Sequence, residues 1–333
     1  MWYENKGKDS DVVLSTRVRL ARNIAGYPFP GKLSAEKTHE ITEKVKRTFS
    51  GDGWECVDFG KLTPAERASM LEKHIVSREF VSSGSERVLL KNEEKSVYIM
   101  SPEEDHLRIQ AIVPGFDIDS SLSRAFEAEE TADKALSFAY SEQYGYITHC
   151  PSNLGTGMRI SVMMHLPAYT AAGGMRDLAL QLARFGMTVR GMDGEGSRPA
   201  AAIYQISNQN TLGVSEEDTA KKLAEIVGQI VKNERELRSK LSDEKREELA
   251  ERARRDYGIL MYTHHLSAAE LVSMYSDMRY ASSLGLSDIE TNVLDEMLIR
   301  SLPNTVTAEH DGVITPADRD SARAEEIRKI LRA

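Results

Sequence analysis

Arginine recurs at alternate positions of segments whose intervening residues are apolar, and this pattern constrains the fold more than any other feature of the chain. In residues 11–20, Val12, Leu14, Thr16, Val18 and Leu20 share one side of an extended strand, and Val13, Ser15, Arg17 and Arg19 share the other. Successive strand side chains point to opposite faces, so both arginines project the same way. In residues 106–113, His106, Arg108 and Gln110 oppose Leu107, Ile109 and Ala111. In residues 159–166, Arg159, Ser161 and Met163 oppose Ile160, Val162 and Met164, and Arg190 lies in a further strand at 187–192. Such segments predict a sheet backed by an apolar layer, with arginine on its other face.

The remaining elements follow from local signals. Thr63-Pro64-Ala65-Glu66 supplies an N-cap, a proline at the first helical position and an acid at the third, so a helix is expected from there to about 77. Residues 88–100 and 106–113 read as a strand pair across the turn 101–105, which contains Pro102. A helix is expected over 121–144. A glycine-rich loop follows at 151–157, then a helix ending near Gly186 and a strand at 203–208. Beyond Ser215 the chain reads as helix after helix. Capping patterns begin at Ser215, Ser267, Ser287 and Thr315, and a loop is expected over 301–312. The charged run 243–255 is a solvated helix face.

The net charge of −9 argues against a sequence-independent nucleic-acid binder, so the arginines demand a local explanation. With 41% hydrophobic and 29% charged residues, the composition is that of an ordinary soluble protein. Cys56 and Cys150 make no disulfide framework, and the N-terminal residues carry no apolar signal core. No stretch reaches the roughly 18 apolar residues of a membrane span. The expectation is a cytoplasmic protein.

Several motifs fail. The Walker phosphate loop is absent. Asp58-Phe59-Gly60 has no accompanying His-Arg-Asp loop, and His264-His265 lacks metal-ligand spacing, so no protein-held metal is expected. What remains is a set of arginines suited to bidentate phosphate binding. Two acids flank them: Glu104 before Arg108, and Glu195 in a Gly-Glu-Gly loop after Arg190. A carboxylate beside a polyphosphate repels it, so it either pairs with a neighbouring arginine or grips a cationic co-substrate. A guanidinium is such a cation, and a poor nucleophile until a carboxylate orients it and takes its proton.

Four segments then resemble the phosphagen kinase superfamily, in its order and internal spacing: Ser15-Thr-Arg-Val-Arg19, Glu103-Glu-Asp-His-Leu-Arg108, Cys150-Pro-Ser-Asn-Leu-Gly-Thr-Gly-Met-Arg159 and Arg190-Gly-Met-Asp-Gly-Glu195. The resemblance implies an α+β catalytic domain of the phosphagen kinase/glutamine synthetase-like kind, a mainly antiparallel sheet flanked by helices. It implies that Arg17, Arg19, Arg108, Arg159 and Arg190 bind the ATP phosphates, with Mg²⁺ held mainly through those phosphates. Glu104 and Glu195 would hold and activate the guanidinium, and Cys150 would sit beside it. On the residues alone Cys150 reads equally as a buried structural cysteine. His74, in a Lys-His-Ile segment, resembles the family's adenine-stacking histidine, against the plain reading of a structural one.

Small-molecule members carry a helical domain before the Ser-Thr-Arg-Val-Arg segment, which here begins at Ser15. The expectation is therefore an open site that admits arginine on a protein surface, as in the bacterial protein arginine kinases. The division expected is 1–255, catalytic, and 256–333, a small helical domain involved in dimerisation. Arg319-Asp320-Ser-Ala-Arg323-Ala324 resembles that branch's phosphoarginine-binding motif, the alternative being a solvated helix of mixed charge. Resemblance further implies homodimers, a small zinc-binding activator, Clp-protease targeting and heat-shock control. The rival readings are a kinase of a free guanidino compound and a non-catalytic phosphoarginine adaptor.

Overall fold

The computed structural model describes residues 1–51, 53–82, 86–191, 201–310 and 314–332. Ten strands run in chain order as β1 (Val13–Arg22), β2 (Glu55–Asp58), β3 (Val88–Asn92), β4 (Val97–Ser101), β5 (Leu107–Pro114), β6 (Tyr140–Ser141), β7 (Gly145–Tyr146), β8 (Met158–His165), β9 (Met187–Gly191) and β10 (Ile203–Asn208). Eight of them form one sheet in the order β2-β3-β4-β5-β1-β8-β10-β9, and β6 and β7 form a separate hairpin. Every pairing in the large sheet is antiparallel.

The helices of the first half are α1 (Ala35–Thr48), α2 (Pro64–Glu72), α3 (Arg78–Ser82), α4 (Ile118–Leu136), α5 (Pro167–Ala171) and α6 (Met175–Arg184). Then come α7 (Glu216–Ser239), α8 (Asp243–Tyr262), α9 (Ala268–Ser283), α10 (Thr291–Arg300), α11 (Pro303–Glu309) and α12 (Pro316–Arg332). Helix α8 runs unbroken through residue 255. Among the described residues no helix is long and apolar enough to cross a membrane.

The alternation read from sequence becomes two apolar layers. On one face of the sheet Val18, Leu20, Ile109, Ala111, Ile160 and Val162 pack against Ile41 and Val45 of α1, Ala125 and Ala132 of α4 and Leu223 and Val227 of α7. On the other face Leu89, Tyr98, Met100, Ile112, Met163 and Ile203 join Phe80 of α3 and the helices of the second half, through Leu249, Leu271, Tyr275, Leu298 and Ile327. A register shift in β1 between Val13 and Ser15 changes the parity there. Val12 and Val13 therefore both enter the first layer, and Leu14, expected beside Val12, enters the second.

Several predicted elements are corrected. The span 88–100 is two strands, β3 and β4, paired Asn92 to Val97. Their turn is closed by the Asn92 side chain accepting from Lys95 N at 2.9 Å, with Ser96 at φ 53°. Helix α2 stops at Glu72, and His74 follows at φ 59°. Helix α4 ends at Leu136 rather than 144, where Ser137 adopts φ 55° and Asp133 accepts from Phe138 N at 2.7 Å. Ser215 and Ser267 cap their helices as expected. The Ser287 pattern does not, because α10 starts at Thr291 with Glu290 at its N-cap. The expected loop 301–312 contains α11, begun by Pro303.

Candidate active site

Arg108 on β5, Arg17 and Arg19 on β1, Arg159 on β8 and Arg190 on β9 come from a run of five neighbouring strands, and β10 completes that run. The register brings them together: Arg19 lies opposite Arg159 across one edge of β1 and opposite Gln110 across the other. Arg190 lies opposite Gln205. All five line one cavity of about 360 Å³, together with His74, Ser77, Glu104, Ser152, Asn153 and Gln205.

The cavity is strongly cationic. Burial, followed by Arg159 and Arg108, pushes the Arg17 guanidinium down to about 10. Burial, then Arg108, Arg17 and Arg159, pushes Arg19 well below its ordinary value, opposed by Glu103. Crowding like charges out of water is unfavourable, so the site is built for a ligand carrying several negative charges. Short polar contacts hold the fan of arginines in place. Arg17 Nε donates to Ser161 Oγ at 3.4 Å, and Arg159 Nε and Nη2 donate to Ser207 Oγ at 3.3 and 2.9 Å. The glycine-rich loop before Arg159 needs its glycines. A Cβ on Gly155, at φ 108°, would sit 2.2 Å from Thr211 O, and one on Gly157, at φ 58°, would sit 2.6 Å from Arg22 Nη1.

The turn between β4 and β5 sorts its three acids. Glu103 is buried, ion-paired with Arg108 at 2.5 Å, and accepts from the Ser77 hydroxyl and from Glu104 N at 2.8 Å. Asp105 is fixed by Asn23 Nδ2 at 2.6 Å and His149 N at 2.7 Å. Glu104 alone of the three lines the arginine cavity. Burial, then the charges of Asp105 and Glu103, pushes its carboxyl above the usual range, with Arg108 and His149 opposing. A carboxylate of raised basicity at the edge of a cationic cavity is suited to taking a proton.

His74 stands between α2 and α3. Its carbonyl accepts from Gln110 Nε2 at 3.0 Å, and its ring lies 6.1 Å from that of Trp2. Burial, reinforced by Arg17, pushes the imidazole down to about 3, so it is neutral. Cys150 caps the 3-10 turn Pro151–Asn153, with Sγ 3.0 Å from Ser152 Oγ. The cavity lining passes through Ser152 and Asn153, next to it in the chain. Glu195 lies outside the described residues.

The α12 group lies elsewhere. Arg323 is buried and donates to Ser301 O at 2.8 Å, Leu266 O at 2.7 Å and Asp320. Ala324 is buried beside it, and Arg319 Nε is buried without a hydrogen-bond partner among the described residues. None of the four lines the arginine cavity.

Sequence reasoning missed Glu103, Ser77 and Gln205. The run of three acids signalled that one was structural without saying which. The alternation of Gln205 with Ser207 on β10 was the only hint of the third.

Three comparisons bear on this arrangement. The family described as "ATP:guanido phosphotransferase, C-terminal catalytic domain" matches residues 36–237. The family described as "Protein-arginine kinase McsB C-terminal domain" matches residues 246–333. Among curated proteins, "Protein-arginine kinase" of Halothermothrix orenii is 35% identical over 99% of this chain and 96% of its own length. That of Pelotomaculum thermopropionicum is 36% identical over 98% and 94%. Among solved structures, the duplicated taurocyamine kinase from Schistosoma mansoni with bound transition-state analog components superposes with a TM-score of 0.61 at 27% identity, over 67% of this chain and 33% of that one. This chain thus spans about a third of that duplicated protein. Lombricine kinase, 24% identical with a TM-score of 0.61, shares the fold over 73% of this chain and 71% of its own.

Proposed function

The chain belongs to the ATP:guanido phosphotransferase family, matching its protein-arginine kinases over nearly its whole length, and from that premise we propose that it moves the γ-phosphoryl group of ATP onto arginine side chains of other proteins by way of the arginine cavity. The observation that carries this reading is the convergence of the five strand arginines, with Arg78 of α3 and Glu104, on one cavity.

In this proposal Arg17, Arg19, Arg108, Arg159 and Arg190 hold the phosphates and stabilise the charge on the transferring group. The neutral His74 ring packs against the adenine. Glu104 grips the acceptor guanidinium and takes its proton as the N–P bond forms and the bond to ADP breaks. Glu195 supplies the second carboxylate, and Cys150 flanks the guanidinium. Mg²⁺, carried on the phosphates, would neutralise part of their charge. Residues 256–333 form the accessory helical unit, and Arg319, Asp320, Arg323 and Ala324 make up its phosphoarginine site. Arg319 Nε, buried and without a hydrogen-bond partner among the described residues, is a donor that an anion could satisfy. A cytoplasmic location, a homodimer, a zinc-binding activator, and a Clp-linked stress role complete the proposal, on family resemblance alone.

The test is incubation with Mg-ATP and an unfolded model protein, followed by mass spectrometry without acid, because N–P bonds are acid-labile. Phosphoarginine on the protein, lost in Glu104→Gln, is the expected result. Phosphate on free arginine only would replace a protein acceptor with a small one. No transfer to either acceptor would overturn the proposal.

A further inference from the structure

Glu104 borders two spaces. Besides the arginine cavity it lines a groove of about 570 Å³, whose lining includes Pro30, Gly31, Leu33, Ala35 and Thr38, the acid-turn residues Pro102 and Glu103 with His149, and the charged pair of neighbours Glu86 and Arg87. Among the described residues the two linings have only Glu104 in common. If a polyphosphate fills the arginine-lined space, a cationic acceptor that meets the same carboxylate must approach from the other side of it. The groove is that side.

Its shape and charge narrow the acceptor further. A volume of 570 Å³ is in the range of sites that enclose a drug-sized ligand, and a single guanidino side chain would leave most of it empty. The wall opposite the acid turn is small and mostly apolar, formed by the start of α1, where Ala35 is exposed and Thr38 is half-buried. Thr38 Oγ1 is turned back onto Ser34 O at 3.0 Å. The cation at the far end, Arg87, is committed to the carbonyls of Glu79 at 2.6 Å and Phe80 at 2.7 Å. His149 is braced edge-on by Phe29, with ring centres 5.4 Å apart. Such a channel is small-walled on the α1 side, carries the carboxylates of Glu86 and Glu103, and is continuous with Glu104.

We propose that this groove seats the polypeptide flanking the modified arginine, so that the first turn of α1, through Ala35 and Thr38, selects which protein segments are phosphorylated. The proposal rests on the kinase reading above and adds to it the track along which the acceptor chain lies. Two acceptors separate the ideas: a peptide with residues on both sides of its single arginine, and Nα-acetyl-arginine amide, which has no flanks.

Ala35→Trp places a large ring on an exposed position that the fold does not use. It should raise the KM for the peptide about tenfold while leaving the KM for ATP, kcat at saturating peptide and turnover of the blocked arginine unchanged. Thr38→Tyr should act in the same direction. In the wild-type protein, a peptide with a benzophenone next to its arginine should cross-link to residues 30–38, a readout that needs neither a variant nor the blocked acceptor. Equal effects on both acceptors, no effect on either, or cross-links confined to other segments would overturn the groove assignment while leaving the kinase reading intact. Absence of phosphoarginine on every acceptor with the wild-type protein would remove the kinase reading, and the groove assignment with it.

Discussion

Where α7 and α9 meet the N-terminal segment, each buried arginine finds a carboxylate and carbonyl oxygens. In the cavity Arg17 and Arg19 are crowded by the charges of other arginines. Arg238 donates to Glu234 at 2.8 Å, Asp11 O at 3.0 Å and His165 O at 3.1 Å. Arg279 donates to Asp295 at 2.8 Å and Ser10 O at 2.8 Å. Burial alone would push Arg279 down, but Asp295 and Tyr275 carry it above its ordinary value. Arg17 and Arg19 go the other way, lowered by burial and by their arginine neighbours. The same side chain is thus raised by a carboxylate partner in one region and lowered by like charges in the other. The difference separates Arg238 and Arg279, which join elements of the fold, from Arg17 and Arg19, whose crowding suits an anionic ligand.

The largest effect that could break this contrast is at Arg19. Arg19→Gln should lower kcat/KM about a thousandfold or more, as for loss of an arginine that stabilises a transferring phosphoryl group. It should leave Tm unchanged or raised, since it removes a buried like charge. A marked fall in Tm would place Arg19 among the structural joints. Next comes Arg279→Leu, which removes the guanidinium from the buried Asp295 and leaves it accepting from the Tyr275 hydroxyl, 2.6 Å away. Removing one partner of a buried pair costs about 3–5 kcal/mol, so unfolding in urea should shift by that amount while kcat per folded molecule holds. A polyanion should then stabilise the wild type. Inorganic triphosphate at a hundred times its Kd should add about 2.7 kcal/mol, an increment absent in Arg19→Gln.

The smallest effect is acid lability. His106 is buried, its Nδ1 accepting from Ile24 N at 2.9 Å, and burial pushes it from 6.5 to about 4. His165 is buried and lies well below 6.5. A histidine depressed in the fold stays neutral there while the unfolded chain takes up a proton. Its contribution is therefore complete above pH 6.5 and is lost as pH falls toward the folded value. Each such histidine should give a slope of about 1.4 kcal/mol per pH unit in that window, and His106→Gln should flatten the curve by one proton. Arg19→Gln removes no imidazole, so an equal flattening in that variant would contradict the division between the two regions.

Much of this is legible in the amino-acid sequence. Period-2 alternation of arginine with apolar residues fixed which side chains share a face, and antiparallel pairing did the rest. Glu104 was legible only as one of three adjacent acids. Its separation from Glu103 depends on Ser77 and Arg108, which are distant in sequence or masked by the alternation. The β3–β4 turn escaped because Asn92-Glu93-Glu94-Lys95-Ser96 contains no glycine or proline, and the Asn92 side chain does the work of one. The end of α4 escaped for a similar reason, with Asp133 and a left-handed Ser137 substituting for a glycine stop. Helix α11 was hidden because its N-cap, Leu302, has no side-chain cap to announce it.

One joint ties the cavity wall to a distant part of the chain. Glu72, two residues before His74, accepts from Asn304 N and Nδ2 at 2.9 and 2.7 Å and from Thr305 N and Oγ1 at 2.8 and 3.0 Å, and Ser69 meets Thr305 at 3.2 Å. The first turn of α11 is in this way riveted to the helix that ends at the cavity wall. A change at Asn304 or Thr305, more than two hundred residues along the chain, therefore bears on the wall that carries His74.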